Sequence, residues 1–214
     1  MKEQERILDF VRDEIRRLFA DDYSGHDAWH TIRVEHTAAV IGQAEGCNVF
    51  VVRLGALLHD ADDPKLFSTQ DYQNARDIMT RAHVDEDTAE QVIAAIATVS
   101  FKGTDTQTPA TLEGKVLQDA DRLDALGAIG IARTFAYGGS HHRALYDPEL
   151  PPQLRMDETA YRSNQGSSLN HFYEKLFLLK DLMNTDTGRR MAEKRDAYLR
   201  SFAEEFLAEW DGKC

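Results

Sequence analysis

This sequence predicts an all-α fold, a single-domain helical bundle, on three observations. Apolar residues recur at helical spacing along most of the chain, and no run alternates apolar and polar residues as a half-buried strand would. Breaks rich in Gly, Pro, Asn and Asp fall between the periodic stretches, with no internal repeat or low-complexity linker. At 214 residues the chain is long enough to bury a sizeable core in one domain.

The elements follow in order. Ile7, Val11, Ile15 and Leu18 place a helix over about 3–20, ended by the turn Asp21-Asp22-Tyr23-Ser24-Gly25. A second helix starts near Ala28 with Asp27 as its N-cap, runs through His30, Val34, Thr37 and Ile41 on one stripe, and stops at Gly46. Val49 to Leu58 is apolar nearly all round, which marks a helix at the centre of the domain. Helices are expected over about 69–81 and 86–99, the latter with Ala89, Val92, Ile93, Ile96 and Ala97 in register. Residues 101–107 read as a loop, and Thr108-Pro109 as a helix entry with Pro at the first helical position. That helix continues past Asp121 and resumes or persists to Phe135. The stretch from Gly138 to Ser168 holds three of the five prolines and little periodicity, and a segment so long and irregular reads as a lid or as disorder. Two C-terminal helices close the chain, over about 168–183 and 186–210, the second carrying Met191, Tyr198, Phe202, Phe206 and Trp210 on one face. Phe10, Phe202, Phe206 and Trp210 are expected in the core.

Charge and composition remove several function classes. A formal net charge of −12 argues against a nucleic-acid polymer or an anionic membrane as partner, since either needs a basic face. It leaves room for a small anionic substrate, because a metal ion and a few local Lys and Arg can invert the field inside a pocket. Cys47 and Cys214 offer neither a disulfide framework nor a thiolate metal cluster. The opening Met1-Lys2-Glu3-Gln4-Glu5-Arg6 lacks the apolar core of a signal peptide, and the longest apolar run is interrupted by Arg53. A cytoplasmic protein is expected.

The chemistry concentrates in Leu58-His59-Asp60-Ala61-Asp62-Asp63-Pro64-Lys65. His and Asp at successive positions diverge on a helix and can reach one cation only where the helix ends. The C-terminus of a helix itself favours a cation. His30, facing inward from the first turn of the second helix, and a carboxylate of the later helix offer the other half of such a site. Periodicity does not choose among Asp119, Asp121 and Asp124, which flank the stripe Val116, Ala120, Leu123 and Gly127. Two imidazoles and two carboxylates without a thiolate favour a borderline or hard divalent ion: Mn²⁺, Mg²⁺, Co²⁺, Fe²⁺ or Zn²⁺. Four such ligands on a six-coordinate ion leave positions for water and a substrate oxygen, the arrangement of metal-assisted hydrolysis.

The order His30…His59-Asp60…Asp121 resembles the HD-domain metal-dependent phosphohydrolases. His26-Asp27-Ala28-Trp29-His30, His30-Thr31-Ile32-Arg33-Val34, Leu58 to Lys65, Gln118 to Gly127, Asn170 to Leu176 and Met183-Asn184-Thr185 are similar to a small bacterial branch of that superfamily, some members of which resemble (d)NTP pyrophosphohydrolases. The resemblance implies a helical HD fold, a divalent metal (Mn²⁺ favoured) held by His30, His59, Asp60 and Asp121, and hydrolysis of a phosphate ester or anhydride. Pro64 stands where a polar residue is common in that branch.

The remaining residues carry weaker expectations. Asp63 could orient or deprotonate the attacking water, or simply terminate the turn before Pro64. Lys65 and Arg33 are candidates for phosphate oxygens, Arg for its planar fork, against the alternative of surface ion pairs. His26, Arg133, His142 and Lys175 are further candidates for substrate contact, and Asp62 has no expected role. The substrate expected is a small phosphorylated molecule, a nucleoside triphosphate cleaved to monophosphate and pyrophosphate in the leading case. The alternatives are a 5′-nucleotidase-like phosphomonoesterase and a non-catalytic nucleotide sensor with a structural metal. The amphipathic terminal helices could pair in a homodimer.

Overall fold

The computed structural model describes residues 2–20, 27–64 and 66–213, all of them in helices, turns or loops with no strand. The expected turn at Asp21–Gly25 and the residues His26, Lys65 and Cys214 lie outside the described residues. No described helix is long and apolar enough to cross a membrane. The chain divides into two compact units, Met1–Ser100 with Thr108–Asp121, and Phe101–Gln107 with Arg122–Cys214.

In the first unit, α1 (Lys2–Leu18), α2 (Ala28–Glu45), α4 (Gln73–Arg81) and α5 (Glu86–Ile96) accompany the short central α3 (Val49–Leu58). Helix α3 packs against α1, α2 and α5 and buries every residue from Leu54 to Leu58, as its all-round apolar sequence requires. Each fully buried leucine there contributes about 2 kcal/mol by removal of apolar area from water. Local chemistry sets the helix ends. Asp27 Oδ1 accepts the His30 N–H at 2.8 Å to start α2, and Gly46, at φ 77°, lets its own N–H and that of Cys47 close on the Gly42 carbonyl. Asn48 Oδ1 accepts the Phe50 and Val51 N–H groups to start α3. A fully buried carboxylate, Glu35 on α2, receives Arg12 Nε of α1 at 2.9 Å and Arg53 Nε of α3 at 2.8 Å, tying the three helices together.

Helix α6 (Leu112–Asp124) lies in the first unit up to Asp121. It starts three residues after Pro109, so the expected helix entry at Thr108-Pro109 is not one; instead Thr111 Oγ1 accepts the Gly114 N–H at 3.1 Å. Within the first unit α6 meets α3 at two points. Asn48 N–H donates to Glu113 Oε1 at 3.1 Å, and one turn before the ends of the two segments Gly55 meets Leu117. A Cβ on Gly55 would lie 2.9 Å from Leu117 Cδ2, so the absence of a side chain sets this approach.

In the second unit, α7 (Gly127–Ser140) follows a break at Ala125 and Leu126, with Gly127 at φ 69°. Of the two expectations for the stretch up to Phe135, the helix resumes after this break and does not persist through it. Helix α8 (Glu158–Ser163) sits against a 3-10 turn at Gly103–Asp105. There Gly103, at φ 59°, is required, because a Cβ would fall 2.1 Å from the Met156 carbonyl oxygen. The helix expected over 168–183 is a π-helical turn (Phe172–Leu176), α9 (Phe177–Leu179) and a 3-10 turn (Lys180–Leu182). Helix α10 (Asp186–Trp210), N-capped by Thr185, packs against α7. Its buried row is Gly188, Ala192, Asp196, Leu199 and Ala203, not the expected row of aromatics. Small side chains allow the close helix contact, while Tyr198 and Trp210 stay half exposed. The flanking rings instead stack sideways, Phe135 meeting Phe172, Phe202 and Phe206 at 5.9–6.0 Å.

In the stretch 138–168, α7 extends through Ser140, and the rest is tethered by hydrogen bonds. Ser168 and Leu169 N–H groups donate to the Ala144 and Leu145 carbonyls, and Asn170 Nδ2 donates to the Leu150 carbonyl at 2.8 Å. The buried Glu174 carboxylate accepts Gln153 N–H at 2.9 Å and Asn164 Nδ2 at 2.7 Å.

Candidate metal centre

Three helices of the first unit bring His30, His59 and Asp121 to one point, with Asp60 beside the two imidazoles. His30, at the third position of α2, is 1% exposed. His59 follows the last residue of α3, Asp60 lies in the next turn, and Asp121 is on α6. The two imidazole Nε2 atoms are 3.2 Å apart. Asp121 Oδ1 is 3.3 Å from His30 Nε2 and 3.6 Å from His59 Nε2. Asp60 divides its oxygens, Oδ2 lying 3.5 Å from His30 Nε2 and Oδ1 3.4 Å from His59 Nε2. His30, His59 and Asp121 each offer one atom within 4.8 Å of the others.

This donor set fits a divalent ion. Nitrogen and oxygen ligands at about 2.1 Å stand about 3.0 Å apart at right angles and about 3.4 Å apart at tetrahedral angles. The observed separations span 3.2–3.6 Å. Orientation fits as well. The His59 Nδ1–H donates to the Ala56 carbonyl at 2.8 Å, and a carbonyl only accepts, so the lone pair of Nε2 faces the cluster. Burial alone would lower the His59 pKa, but the Asp60 and Asp121 carboxylates outweigh it and hold it at about 9. Burial would raise the Asp121 pKa, yet the two imidazoles hold it well below the usual carboxylate range. A proton on His59 thus answers the same negative field that would hold a cation.

The other candidates separate. Asp63 is in the turn after Asp60, its N–H donating to the Asp60 carbonyl at 3.1 Å, and its own carbonyl accepting from Leu66 and Phe67. Arg33 is one turn beyond His30 on α2 and half buried. Asp119 is fully buried, and Asp124 pairs with Arg133 at 3.0 Å; of the three aspartates on α6 only Asp121 joins the cluster. Arg133, His142 and Lys175 belong to the second unit. There His142 is exposed at φ 57°, and the Lys175 ammonium lies over the rings of Phe101 and Tyr161 at 5.0 and 5.7 Å. Sequence reasoning missed Asp62, whose carboxylate accepts the Asn74 and Ala75 N–H groups at 2.9 and 3.0 Å. It also missed Gly55, although a glycine one turn before His59 in an otherwise bulky apolar helix is a visible sign of close packing.

Comparison with known proteins finds relatives over nearly the whole chain. YpgQ of Bacillus subtilis is 38% identical over 196 residues, covering 90% of this chain and 88% of its own. A structure of YpgQ in complex with ADP superposes with TM-score 0.74 at 31% identity, covering 97% and 96% of the two chains. A Bacillus thuringiensis HD-superfamily hydrolase gives TM-score 0.74 at 42% identity over 98% of both chains. A Lactobacillus plantarum protein gives 0.86 at 38% identity, covering 96% and 97%. The HD domain profile matches residues 28–126, the span that carries all four clustered side chains, and the chain belongs to the HD-domain family.

Proposed function

We propose that this protein is a divalent-metal-dependent phosphohydrolase acting on nucleotides, with nucleoside triphosphate cleavage to monophosphate and pyrophosphate as the leading activity. The observation that carries the reading is the convergence of two imidazoles and two carboxylates at 3.2–3.6 Å, with His59 fixed in the tautomer a ligand needs. The ADP complex of the YpgQ relative supports a nucleotide as substrate class.

In this reading His30, His59, Asp60 and Asp121 hold the ion, with Mn²⁺ the favoured candidate. A divalent ion there supplies acidification of water and polarisation of a phosphoryl oxygen. The protein's own part is positional and protonic. Asp63, one turn from Asp60, accepts the proton that the attacking water loses. Arg33, with Lys65, binds phosphate oxygens that carry charge in the transition state. His30 is almost completely buried, which strengthens the charge interactions it makes.

The test is a nucleotide screen on chelator-stripped protein reloaded with Mn²⁺, Mg²⁺, Co²⁺ or Fe²⁺, with orthophosphate and pyrophosphate separated. Pyrophosphate and a monophosphate from a triphosphate are expected. Orthophosphate from monophosphates would make it a phosphomonoesterase, and tight binding without turnover would make it a sensor. A folded Asp121→Ala variant with full activity would overturn the metal assignment.

A further inference from the structure

Asp62 stands between two residues of the proposed chemistry and has its carboxylate fully engaged elsewhere. Its Oδ1 accepts the Asn74 N–H at 2.9 Å and its Oδ2 the Ala75 N–H at 3.0 Å. Asn74 Nδ2 returns a bond to the Ala61 carbonyl at 2.7 Å. Asn74 and Ala75 are the second and third residues of α4, the positions whose N–H groups a helix leaves for a cap. The local cap is missing: Tyr72, at the N-cap position, makes no side-chain bond to them. Asp71 and Tyr72 are both left-handed, at φ 52° and 57°. Such backbone costs energy at a non-glycine residue and persists only where the surroundings over-determine it. A cap supplied from twelve residues upstream is that determinant.

We propose that Asp62 is a positioning residue for the metal centre. The clasp between 61–62 and 74–75 pins the turn in which Asp60 presents its oxygens to the two imidazoles and in which Asp63 lies. Inside that turn Ala61 is fully buried and its N–H donates to the Leu58 carbonyl at 3.0 Å, while Asp63 N–H donates to the Asp60 carbonyl at 3.1 Å. The clasp fixes the outer side of the turn, and the end of α3 fixes the inner side. Asp60 has freedom only if one of these gives way. The proposal rests on the metal-centre reading above.

The experiment is a Mn²⁺ titration against a competing chelator, on full-length stripped protein well below its unfolding temperature. Four variants are compared with wild type. Asp62→Ala is expected to weaken Mn²⁺ about 10- to 100-fold, the range found for residues that orient a ligand. Asp62→Asn, which keeps one acceptor, loses less, and Asn74→Ala shifts affinity in the same direction. Asp85→Ala is the control. Asp85 caps α5 through the Thr88 N–H at 2.9 Å, so its loss lowers the unfolding midpoint and leaves Mn²⁺ affinity within about twofold of wild type. Wild-type affinity in Asp62→Ala, or an equal loss in Asp85→Ala, overturns the proposal. Should Asp62→Ala not fold, Asp62→Asn and Asn74→Ala decide by the same criterion. A wild-type protein that binds no Mn²⁺ overturns the proposed function itself, and this role with it.

Discussion

Gly55→Ala tests whether the spacing of α3 and α6 sets the spacing of the donors. The added Cβ would lie 2.9 Å from Leu117 Cδ2, against an ordinary carbon–carbon contact of about 3.8 Å, a shortfall of about 0.9 Å. Leu117 is fully buried, so its methyl group has little room to retreat. Alanine gains about 1 kcal/mol over glycine in helix propensity, and overpacking costs about 1–3 kcal/mol. The two nearly offset, and stability is expected between unchanged and about 2 kcal/mol lower. The centre has no such compensation. Gly55 is one turn before His59 and Leu117 one turn before Asp121, so a 0.9 Å separation of the helices would stretch the 3.6 Å between His59 Nε2 and Asp121 Oδ1 to about 4.5 Å. A displacement of that size is expected to weaken Mn²⁺ by about tenfold or more, by analogy with ligand-orienting residues. Calorimetric Mn²⁺ titration of stripped protein, paired with urea unfolding, separates the two effects, and Leu117→Ala in the same chain should restore most of the affinity. Wild-type affinity in Gly55→Ala would refute the reasoning, since it would mean that Leu117 rearranges and the helices do not move.

Other outcomes follow from the same geometry. Glu35→Ala removes the buried carboxylate that Arg12 and Arg53 share and leaves them, 16% and 19% exposed, with only their outer partners Asp9 and Glu5; it is expected to cost about 3 kcal/mol in urea unfolding, and a loss below about 1 kcal/mol would make the network ornamental. Cys47 is raised to about 11, first by burial and then by Glu113, so at a given pH it holds less thiolate than a free cysteine. In a Cys214→Ser background its alkylation at pH 8 should run about two hundredfold slower than a free thiol's and rise about tenfold per pH unit up to the pKa; a rate independent of pH would contradict the shift. Gly138→Ala would place a Cβ 2.0 Å from Ser168 Oγ and should lower the thermal midpoint, with Ser168→Ala relieving most of the loss because Ser168 Cβ is 3.3 Å away.

The sequence was most legible where local and tertiary signals coincide. Helices α2 and α3 carry their caps, Asp27, Gly46 and Asn48, beside their own apolar stripes, so their ends can be read from neighbours alone. Helix α4 could not be read this way. Its first turn is capped from Asp62, and its entry through a left-handed Tyr72 violates the local rule that left-handed residues are glycine, asparagine or aspartate. Pro109 misled because a favourable N1 residue signals a helix only if the chain turns there. On α10 the aromatics suggested the buried face, but close approach to α7 selects small side chains and leaves the rings to stack along the flank. At the site, residue types pointed to a divalent ion, while the choice of Asp121 over Asp119 and Asp124 came from the family motif. The structure separates the three by depth and by the Arg133 pair, which periodicity cannot encode. The contributions of Gly55 and Asp62 are invisible for a related reason: each acts through a partner distant in sequence.

The tethered stretch 138–168 changes what chain length implies about motion. Irregular backbone is usually loose because its amides face water, but here several of them are used. Gln153 donates to the buried Glu174 and Ser168 to the carbonyl of Ala144, while the carbonyls of Leu145 and Met156 accept from Leu169 and Thr104 outside the stretch. Hydrogen–deuterium exchange would place these amides with those of the helices, not with those of surface loops. Glu174 and Asn170 then form one opening unit with the segment they hold, and any excursion of it requires breaking these bonds together. Such a segment opens rarely and as a whole, which makes its timescale a property of Glu174 and Asn170 and not of its prolines.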